Sequence, residues 1–312
     1  MTTKEFTAEV LVGLDGSDGS RQAMRWGADE AALRHTRLHL VHVQEWPATW
    51  SAPLPHDPQL DVWAQSLVRE QATRVREDHP GLNVRTTVLS GTFTATELGE
   101  AAATAGLVAL GSSEVGRGGH GFAVGSVSLA VAGTAPRPVV LVRPGAPADG
   151  VGQEISLATQ DAATPPAGQT ATGNITVGLD PRDPCQALLA FAFEEAALHR
   201  ARLRFVHGWK PFPSYGYGGA VHGGVDEETQ TRARTEINGL LAPWRRQYPE
   251  VETDVSIAKG SPANSLMDAS LDARLVVVGR RSRAVPVGAR LGHVAHAVVH
   301  HSPAPVAVVP LA

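Results

Sequence analysis

The chain has 312 residues, 43% of them hydrophobic and 19% charged, and its formal net charge is −4 at pH 7. These values indicate a globular protein of about two domains and argue against the basic surface that nucleic-acid-binding domains carry. The single cysteine excludes an intrachain disulfide and a cysteine-rich metal site. Because MTTKEFTAEV has no signal-peptide pattern and no apolar run could span a bilayer, we expect a cytoplasmic protein without membrane contact.

Apolar segments in the first half of the chain alternate between short strands and helices. The predicted strands are 10–14, 38–43, 84–89, 107–111 and 138–142, and the predicted helices are 20–34, 61–78, 95–104 and one that begins at Ser126. This alternation indicates a parallel sheet with helices on both faces. Ligands of such sheets bind beyond the carboxyl ends of the strands, where the strand order reverses.

The second half of the chain repeats the first. VLVGLDG at 10–16 matches ITVGLDP at 175–181, and EAALRHTRLHLVHV at 30–43 matches EAALHRARLRFVHG at 195–208, both at an offset of 165 residues. A period of this length indicates a duplicated domain. We therefore predict an α/β chain of two tandem, doubly wound, five-stranded parallel-sheet domains with a Rossmann-like sandwich, at 1–144 (copy one) and 175–312 (copy two). Residues 145–174 match neither copy and are typical of a flexible linker.

An aspartate follows the first strand of each copy, Asp15 in copy one and Asp180 in copy two. One interpretation is a turn residue, since Asp-Gly and Asp-Pro are strong turn signals. The other is a carboxylate at the ligand edge of the sheet, which would accept a hydrogen bond from a base or a ribose. Ser17 and Ser20, next in the chain, are interpreted as turn and cap residues.

A glycine-rich loop, GSSEVGRGGHGFAVGSVS at 111–128, joins the fourth strand of copy one to the helix at Ser126. Glycines allow positive φ or a close backbone approach, and a helix N-terminus attracts anions through its free amides and its dipole. The position predicts a phosphate cradle, against the alternative of a plain surface turn. The loop contains neither a P-loop lysine nor the GxGxxG of dinucleotide-binding folds.

An aspartate after strand one and a glycine loop after strand four resemble the universal stress protein family in its tandem form. In nucleotide-binding members, the aspartate holds the adenosine and a G-x2-G-x9-G-[ST] loop wraps the phosphates. The resemblance implies ATP, with Mg²⁺ bound through the phosphates, as the cofactor of copy one. The implied nucleotide-binding positions are Gly13, Asp15, Val43, Gly111, Gly116, Arg117, Gly125, Ser126 and Val127, and in copy two Gly178, Asp180, Gly279, Arg280 and Gly292.

Both copies depart from the family's loop. Copy one reads G-x4-G-x8-G-S, which is one residue longer. Copy two has the family's length, but Ser282 stands at the second glycine and His293 replaces the serine or threonine. The arginines of this loop would serve as phosphate ligands if copy two binds a nucleotide. We favour the other interpretation, in which copy two has lost its ligand. The arginines of this loop are Arg280, Arg281, Arg283 and Arg290.

No catalytic residue or metal site is predicted, which favours a regulatory module that binds ATP over an enzyme. The histidines at 293, 296, 300 and 301 lack an acidic partner, and Cys185 is interpreted as an unreactive first-turn residue. Two alternatives stay open. One is an adenylating or ATP-hydrolysing enzyme similar to the PP-loop pyrophosphatases, whose SGGxDS is absent from DGSDGS at 15–20. The other is an interaction protein without a nucleotide.

The last strand of each copy, 138–142 and 305–309, is predicted as an apolar sheet edge. Such edges favour pairing. Members of the resembled family dimerise through this strand, which implies a pseudo-dimer of the two copies within one chain and leaves a homodimer of whole chains open. Loops at 46–59 and 209–224, rich in proline and aromatic residues, would cover the nucleotide edge or bind a partner.

Overall fold

A computed structural model describes residues 9–45, 58–114, 122–143, 173–182, 186–209, 222–281 and 291–311. Several predicted features lie outside these ranges. They are most of the linker and of the two aromatic loops, and the residues Gly116, Arg117, Cys185, Ser282, Arg283 and Arg290.

Copy one alternates strands and helices as its apolar pattern predicts. Its strands are β1 (Val10–Leu14), β2 (Leu38–Glu45), β3 (Val84–Gly91), β4 (Leu107–Gly111), β5 (Ser113–Glu114), β6 (Phe122–Ala123) and β7 (Val139–Val142). Its helices are α1 (Asp18–Leu33), α2 (Pro58–Asp78), α3 (Thr94–Ala102) and α4 (Ser126–Thr134).

Copy two repeats this order of strands and helices. Its strands are β8 (Asn174–Gly178), β9 (Leu203–Trp209), β10 (Thr253–Lys259), β11 (Ala273–Arg281) and β12 (Val306–Leu311). Its helices are α5 (Gln186–His199), α6 (His222–Gln247), α7 (Pro262–Asp268) and α8 (His293–His301).

One ten-stranded sheet runs through both copies in the order β10-β9-β8-β11-β12-β7-β4-β1-β2-β3. Neighbouring strands are parallel within each copy, and β7 and β12 pair antiparallel at the junction. The predicted α/β class is therefore confirmed. The pairing of β7 with β12 joins the two last strands within one chain, and β5 and β6 form a separate short hairpin.

The hydrophobic core forms one layer on each face of this sheet, and each layer continues from copy one into copy two. Helices α1, α2, α5 and α6 cover one face, and helices α3, α4, α7 and α8 cover the other. The strands at the centre are buried on both faces, which explains their continuous apolar runs. The two copies are thus packed against each other as parts of one sheet.

In each copy the strand order reverses next to the first strand. The chain passes from β1 outward to β2 and β3, and then returns to the other side of β1 for β4 and β7. The carboxyl ends of β1 and β4 are therefore neighbours, and this is the position where doubly wound sheets bind ligands. Asp15 follows β1, and Gly111 ends β4.

Candidate functional site

The turn after β1 holds Asp15 with its carboxylate charged. Its Oδ1 accepts a hydrogen bond from the Ser17 amide at 2.8 Å. Burial raises the pKa of Asp15, but hydrogen bonds from Ser17 and Ser20 outweigh it, so the pKa lies below its ordinary value. Ser17 is also the N-cap of α1, with its hydroxyl accepting from the Ser20 amide at 3.1 Å. One carboxylate oxygen of Asp15 therefore bonds within the turn, as the turn-residue interpretation predicts. The carboxylate is nevertheless exposed, at the edge of the sheet where we expect a ligand.

Two glycines of copy one lie in close contact with the rest of the protein, and packing against backbone requires glycine at one of them, Gly111. A Cβ at Gly111 would lie 2.2 Å from the Gly19 carbonyl carbon, so the first turn of α1 can approach β4 only because this residue is glycine. A Cβ at Gly13 would lie 2.6 Å from the Leu110 side chain. Positive φ, the other role expected of glycine, occurs at Gly16 in the turn after β1 (82°).

Among the described residues, the N-terminus of α4 has no close neighbour. Gly125 is its N-cap with φ −59° and no side-chain cap bond, and a Cβ added there would meet no atom of the described residues within 4 Å. The first helical hydrogen bond joins the Leu129 amide to the Gly125 carbonyl, so the amides before Leu129, including those of Ser126 and Val127, have no partner within the helix. Ser126 is exposed and follows the cap as the first helical residue. These are the properties of an anion-binding helix end.

The His42 ring, in the second half of β2, packs against an aromatic ring of α2. Val43 lies one residue beyond the ladder between β1 and β2, whose last pair is Leu14 with His42. The buried His42 ring donates from Nδ1 to the Leu14 carbonyl at 2.7 Å, since a carbonyl only accepts. The indole of Trp63, in α2, packs edge-to-face on His42 with ring centroids 5.2 Å apart. The sequence analysis did not identify Trp63, because its contact with β2 depends on how α2 packs.

The matching edge of copy two is occupied differently. Asp180 accepts from the Arg182 amide at 3.1 Å and from Arg182 Nε at 3.3 Å. Burial raises the pKa of Asp180, but these bonds and the charges of Arg182 and His207 outweigh it and lower the pKa. His207 repeats the bond of His42, with Nδ1 donating to the Leu179 carbonyl at 3.0 Å. The carboxylate of copy two therefore already has a cation.

The other copy-two positions predicted to bind a nucleotide have different surroundings. Gly178 and Gly279 lie against leucine side chains, and Arg280 lies at the interface between the copies. Cβ atoms at Gly178 and Gly279 would each lie 2.8 Å from a leucine side chain. Gly292 caps α8 with φ −63°, and a Cβ there would meet no atom of the described residues within 4 Å. Arg280 is 5% exposed and donates from Nη2 to the Ala135 carbonyl of copy one at 2.7 Å. This guanidinium lies between the copies, which differs from the phosphate contact expected from the sequence.

Arg143 makes the reciprocal contact from copy one. It is fully buried and donates to the Val299 carbonyl, at the end of α8, at 2.6 Å and more weakly to the Ala304 carbonyl at 3.4 Å. Burial lowers the pKa of Arg143 to about 10, so it remains charged at neutral pH. Cations are favourable at a helix C-terminus. Arg143 and Arg280 thus each bind the segment at the end of a helix in the other copy.

A buried ionic cluster joins α1 to α5. Arg34 donates from Nε to Glu30 at 2.6 Å and from Nη2 to Glu195. His199 Nε2 lies 2.9 Å from Glu30 Oε2 and 3.5 Å from Glu195 Oε2. Burial lowers the pKa of His199, but its hydrogen bonds with both carboxylates outweigh it and raise the pKa; burial and the charge of Glu30 raise that of Glu195. Two anions and two cations therefore balance when His199 is protonated.

Among the residues that the structure describes, Glu30, Glu195 and His199 form the one group with ligand atoms close enough for a metal ion. Arg34 already binds both of these carboxylates, so the charge that a metal would supply is present. The histidines of α8 do not form such a group within the described ranges; His296 and His300 pack as a tilted ring pair with centroids 4.6 Å apart.

A cleft of about 1140 Å³ lies between the two copies. It is lined by α5, by the amino-terminal edge of the copy-one sheet and by Arg280. Arg34, Arg137 and Glu194 also line it, together with Phe191. This cleft is distinct from the carboxyl edge of copy one, where Asp15 and the N-terminus of α4 lie.

Comparisons with known proteins give matches along most of the chain. The sequence model of the universal stress protein family matches residues 8–143 and 172–310. A universal stress protein of Mycobacterium tuberculosis (strain ATCC 25618 / H37Rv) is 31% identical over 307 residues, which cover 96% of this chain and 96% of the relative. The domain boundaries predicted at 144 and 175 lie close to the ends of the two matched segments and stay a prediction.

Solved structures similar to the chain include a universal stress protein from Archaeoglobus fulgidus DSM 4304. It is 16% identical, with a TM-score of 0.60, and the likeness covers 99% of this chain and 100% of that chain. A universal stress protein from Archaeoglobus fulgidus solved in complex with dAMP covers 43% of this chain at 20% identity, with a TM-score of 0.34. In the described ranges of the chain, none of the helices has the length and apolar character needed to cross a membrane.

Proposed function

Because the chain belongs to the universal stress protein family, we propose that copy one binds an adenine nucleotide, ATP with Mg²⁺, and acts as a regulatory binding module. The observation that carries this proposal is the pair of groups on either side of the strand reversal. One is the charged carboxylate of Asp15, and the other is the open N-terminus of α4 at Gly125.

Each group suits a different part of the nucleotide. The Asp15 carboxylate would accept a hydrogen bond from a ribose hydroxyl, and the backbone of Val43 would face the adenine. The amides at the start of α4, with the hydroxyl of Ser126, would bind phosphate oxygens. Mg²⁺ would bind through the phosphates, because the ion prefers oxygen ligands and keeps several waters. Gly116 and Arg117 belong to the same proposal and lie outside the described residues.

Copy two is proposed as the weaker or silent site. Its Asp180 is bound by Arg182, and its Arg280 is directed into copy one. The end of α8 resembles that of α4, with an open Gly292, but His293 replaces the first helical serine. The single cysteine of the chain fits the reducing cytoplasm, where we place the protein.

The test compares Asp15→Ala with Asp180→Ala as a matched pair. ATP affinity is measured by calorimetry with Mg²⁺, and ATP that copurifies with the wild-type chain is measured after heat release. Loss of a hydrogen bond to a charged group costs about 1.5–3 kcal/mol, so Asp15→Ala should weaken ATP binding about 10- to 100-fold. Asp180→Ala should change it by less than about threefold.

Two results would count against the proposal. If the wild-type chain has no affinity for any adenine nucleotide, the proposed function is wrong. If Asp15→Ala and Asp180→Ala weaken ATP binding equally, the assignment of the binding site to copy one is wrong. Turnover of ATP with release of pyrophosphate would instead favour an adenylating enzyme.

A further inference from the structure

Trp63 is an exposed aromatic residue at the ligand edge of copy one. Its side chain is 50% exposed, although a tryptophan in a helix of a globular protein usually buries most of its surface. The indole lies against the turn after β1, because a Cβ at Gly16 would be 3.6 Å from Trp63 Cζ2. Asp15 is the neighbouring residue in that turn. Trp63 therefore borders the space that the proposed nucleotide occupies.

The indole is held by its contact with the His42 ring. His42 packs on it at an interplanar angle of 81°, and His42 is itself fixed by its bond to the Leu14 carbonyl. Leu67, one turn later in α2, lies on the same side of Gly16. A ring that is fixed before binding loses little conformational entropy when a ligand stacks on it.

The strand order indicates which part of the nucleotide reaches Trp63. β4, β1 and β2 are consecutive in the sheet, and parallel strands lie about 4.8 Å apart, so the ends of β4 and β2 are separated by about 10 Å. The anion-binding end at Gly125 follows β4, Asp15 follows β1, and Trp63 lies beside β2. A nucleotide with phosphates at Gly125 and ribose at Asp15 would extend its base toward Trp63.

Copy two has no aromatic residue at the matching position. Ala64, Val68 and Ala72 of α2 are buried, and so are the residues 169 positions later in α6. These are Ala233, Ile237 and Leu241. The same offset places Arg232 opposite Trp63, and its side chain is 69% exposed. An exposed arginine would not supply the same fixed, apolar ring surface.

We propose that Trp63 is the platform on which the base of the nucleotide stacks, and that it makes copy one selective for purine over pyrimidine nucleotides. The inference rests on the proposed function of copy one. A purine covers more of an indole than a pyrimidine does, and stacking tolerates different ring substituents because every base has a π-face. Trp63 would thus select the size of the base, whereas Asp15 recognises the ribose.

The experiment measures ATP, CTP and inorganic tripolyphosphate binding to four proteins by calorimetry. These are the wild-type chain, Trp63→Ala, Trp63→Phe and the copy-two control Arg232→Ala. Stacking energies of bases on aromatic residues predict a loss of about tenfold or more in ATP affinity for Trp63→Ala, and a smaller loss in CTP affinity, because a pyrimidine covers less of the indole; equal losses of ATP and CTP affinity would overturn the purine selectivity. Trp63→Phe should retain most of the affinity, and Arg232→Ala should match the wild type. Tripolyphosphate, which has no base, should bind all four equally.

A second readout does not depend on affinity. Binding of ATP should quench tryptophan emission in the wild type, and the quench should disappear in Trp63→Phe. Circular dichroism and thermal unfolding check that each variant is folded; the exposed position of Trp63 makes a large loss of stability unexpected.

The failures of the two proposals are distinguishable. Wild-type affinity for ATP that depends on Asp15 but is unchanged in Trp63→Ala would overturn the stacking role and leave the proposed function intact. Equal loss of ATP and tripolyphosphate would show that Trp63→Ala acts through the fold, which also overturns it. Absence of ATP binding in the wild type would overturn both.

Discussion

In copy one the carboxylate of Asp15 is bound by its own turn, whereas in copy two Asp180 is bound by the guanidinium of Arg182. Position 63 in α2 of copy one is a tryptophan, and the position 169 residues later, in α6 of copy two, is Arg232. The strands, the histidine bond to the first strand and the glycine N-caps are the same in both. The duplicated fold thus keeps the backbone at this edge of the sheet, while the side chains at the edge have diverged.

The junction between the copies differs in the same way. Arg143 follows the last strand of copy one and Arg280 lies in the fourth main-sheet strand of copy two, so the two arginines come from unmatched positions. Each nevertheless bonds a carbonyl near a helix end of the other copy. At a matched position, Arg34 in copy one and His199 in copy two share the same carboxylates, but only the histidine titrates near neutral pH.

The largest expected effect is on the free energy of unfolding, and it differs between variants of the two interface arginines, Arg143 and Arg280. Arg143→Met removes several hydrogen bonds from a fully buried cation, so we expect the free energy of unfolding to fall by about 3 kcal/mol. Arg280→Met should cost about half as much. Urea unfolding measures both, with the exposed Arg232→Met as the control. If Arg280→Met costs as much as Arg143→Met, the two contacts are equivalent and the interface is symmetric in energy.

A smaller effect is expected at the glycine N-caps. Gly125 and Gly292 have φ near −60°, and a Cβ at either would meet no atom of the described residues within 4 Å. We therefore expect alanine to fit both positions and to lower stability equally through the weaker cap. Only Gly125→Ala places a methyl group where the phosphates would lie, and overpacking of this kind should weaken ATP binding about tenfold. Calorimetry of the two variants measures the difference. If Gly125→Ala binds ATP as tightly as the wild type, the phosphates do not bind at the N-terminus of α4.

The smallest effect is a pH dependence that arises from His199. Its pKa is raised above the ordinary 6.5 by Glu30 and Glu195, against burial and the charge of Arg274. The imidazolium therefore stabilises the fold fully below pH 6.5, and this stability is lost as the pH rises through the pKa of the folded chain. The free energy of unfolding should fall by up to about 1.4 kcal/mol per pH unit in this window.

His199→Gln tests that assignment, because glutamine does not titrate. Unfolding free energies between pH 6 and 9 should show the decline in the wild type and a flatter profile in His199→Gln. His296→Gln, at an exposed position of α8, is the matched control and should keep the wild-type slope. A slope that survives in His199→Gln would assign the titration to another group.

Much of the fold is predictable from the sequence. The strands 10–14 and 107–111 coincide with β1 and β4, and the other predicted strands and the helices differ from the observed ones by up to three residues at an end. Family membership, predicted from the aspartate and the glycine loop, is confirmed. The nucleotide-binding residues stay a prediction, and for Gly111 the structure gives packing against Gly19 as a sufficient reason for glycine.

The residues that sequence reasoning missed act through distant partners. Arg34 and Glu195 are 161 positions apart, and Arg143 contacts a helix 156 positions away. In the sequence, Trp63 is one aromatic residue on an amphipathic helix. Its position beside His42 depends on how α2 packs on β2. The periodicity of apolar residues and the turn residues do not predict these long-range contacts, because they depend only on neighbours along the chain.

The duplicated α/β fold, the strand positions and the placement of an aspartate and a glycine loop at one edge of the sheet could all be predicted from the amino-acid sequence. These follow from apolar runs, turn residues and the repeat, which are local or self-comparing signals. The tertiary structure was needed to show that Arg280 reaches into copy one and that Trp63 lies against the turn at Gly16. Side-chain direction at an edge depends on the packing of whole elements, and no local pattern specifies it.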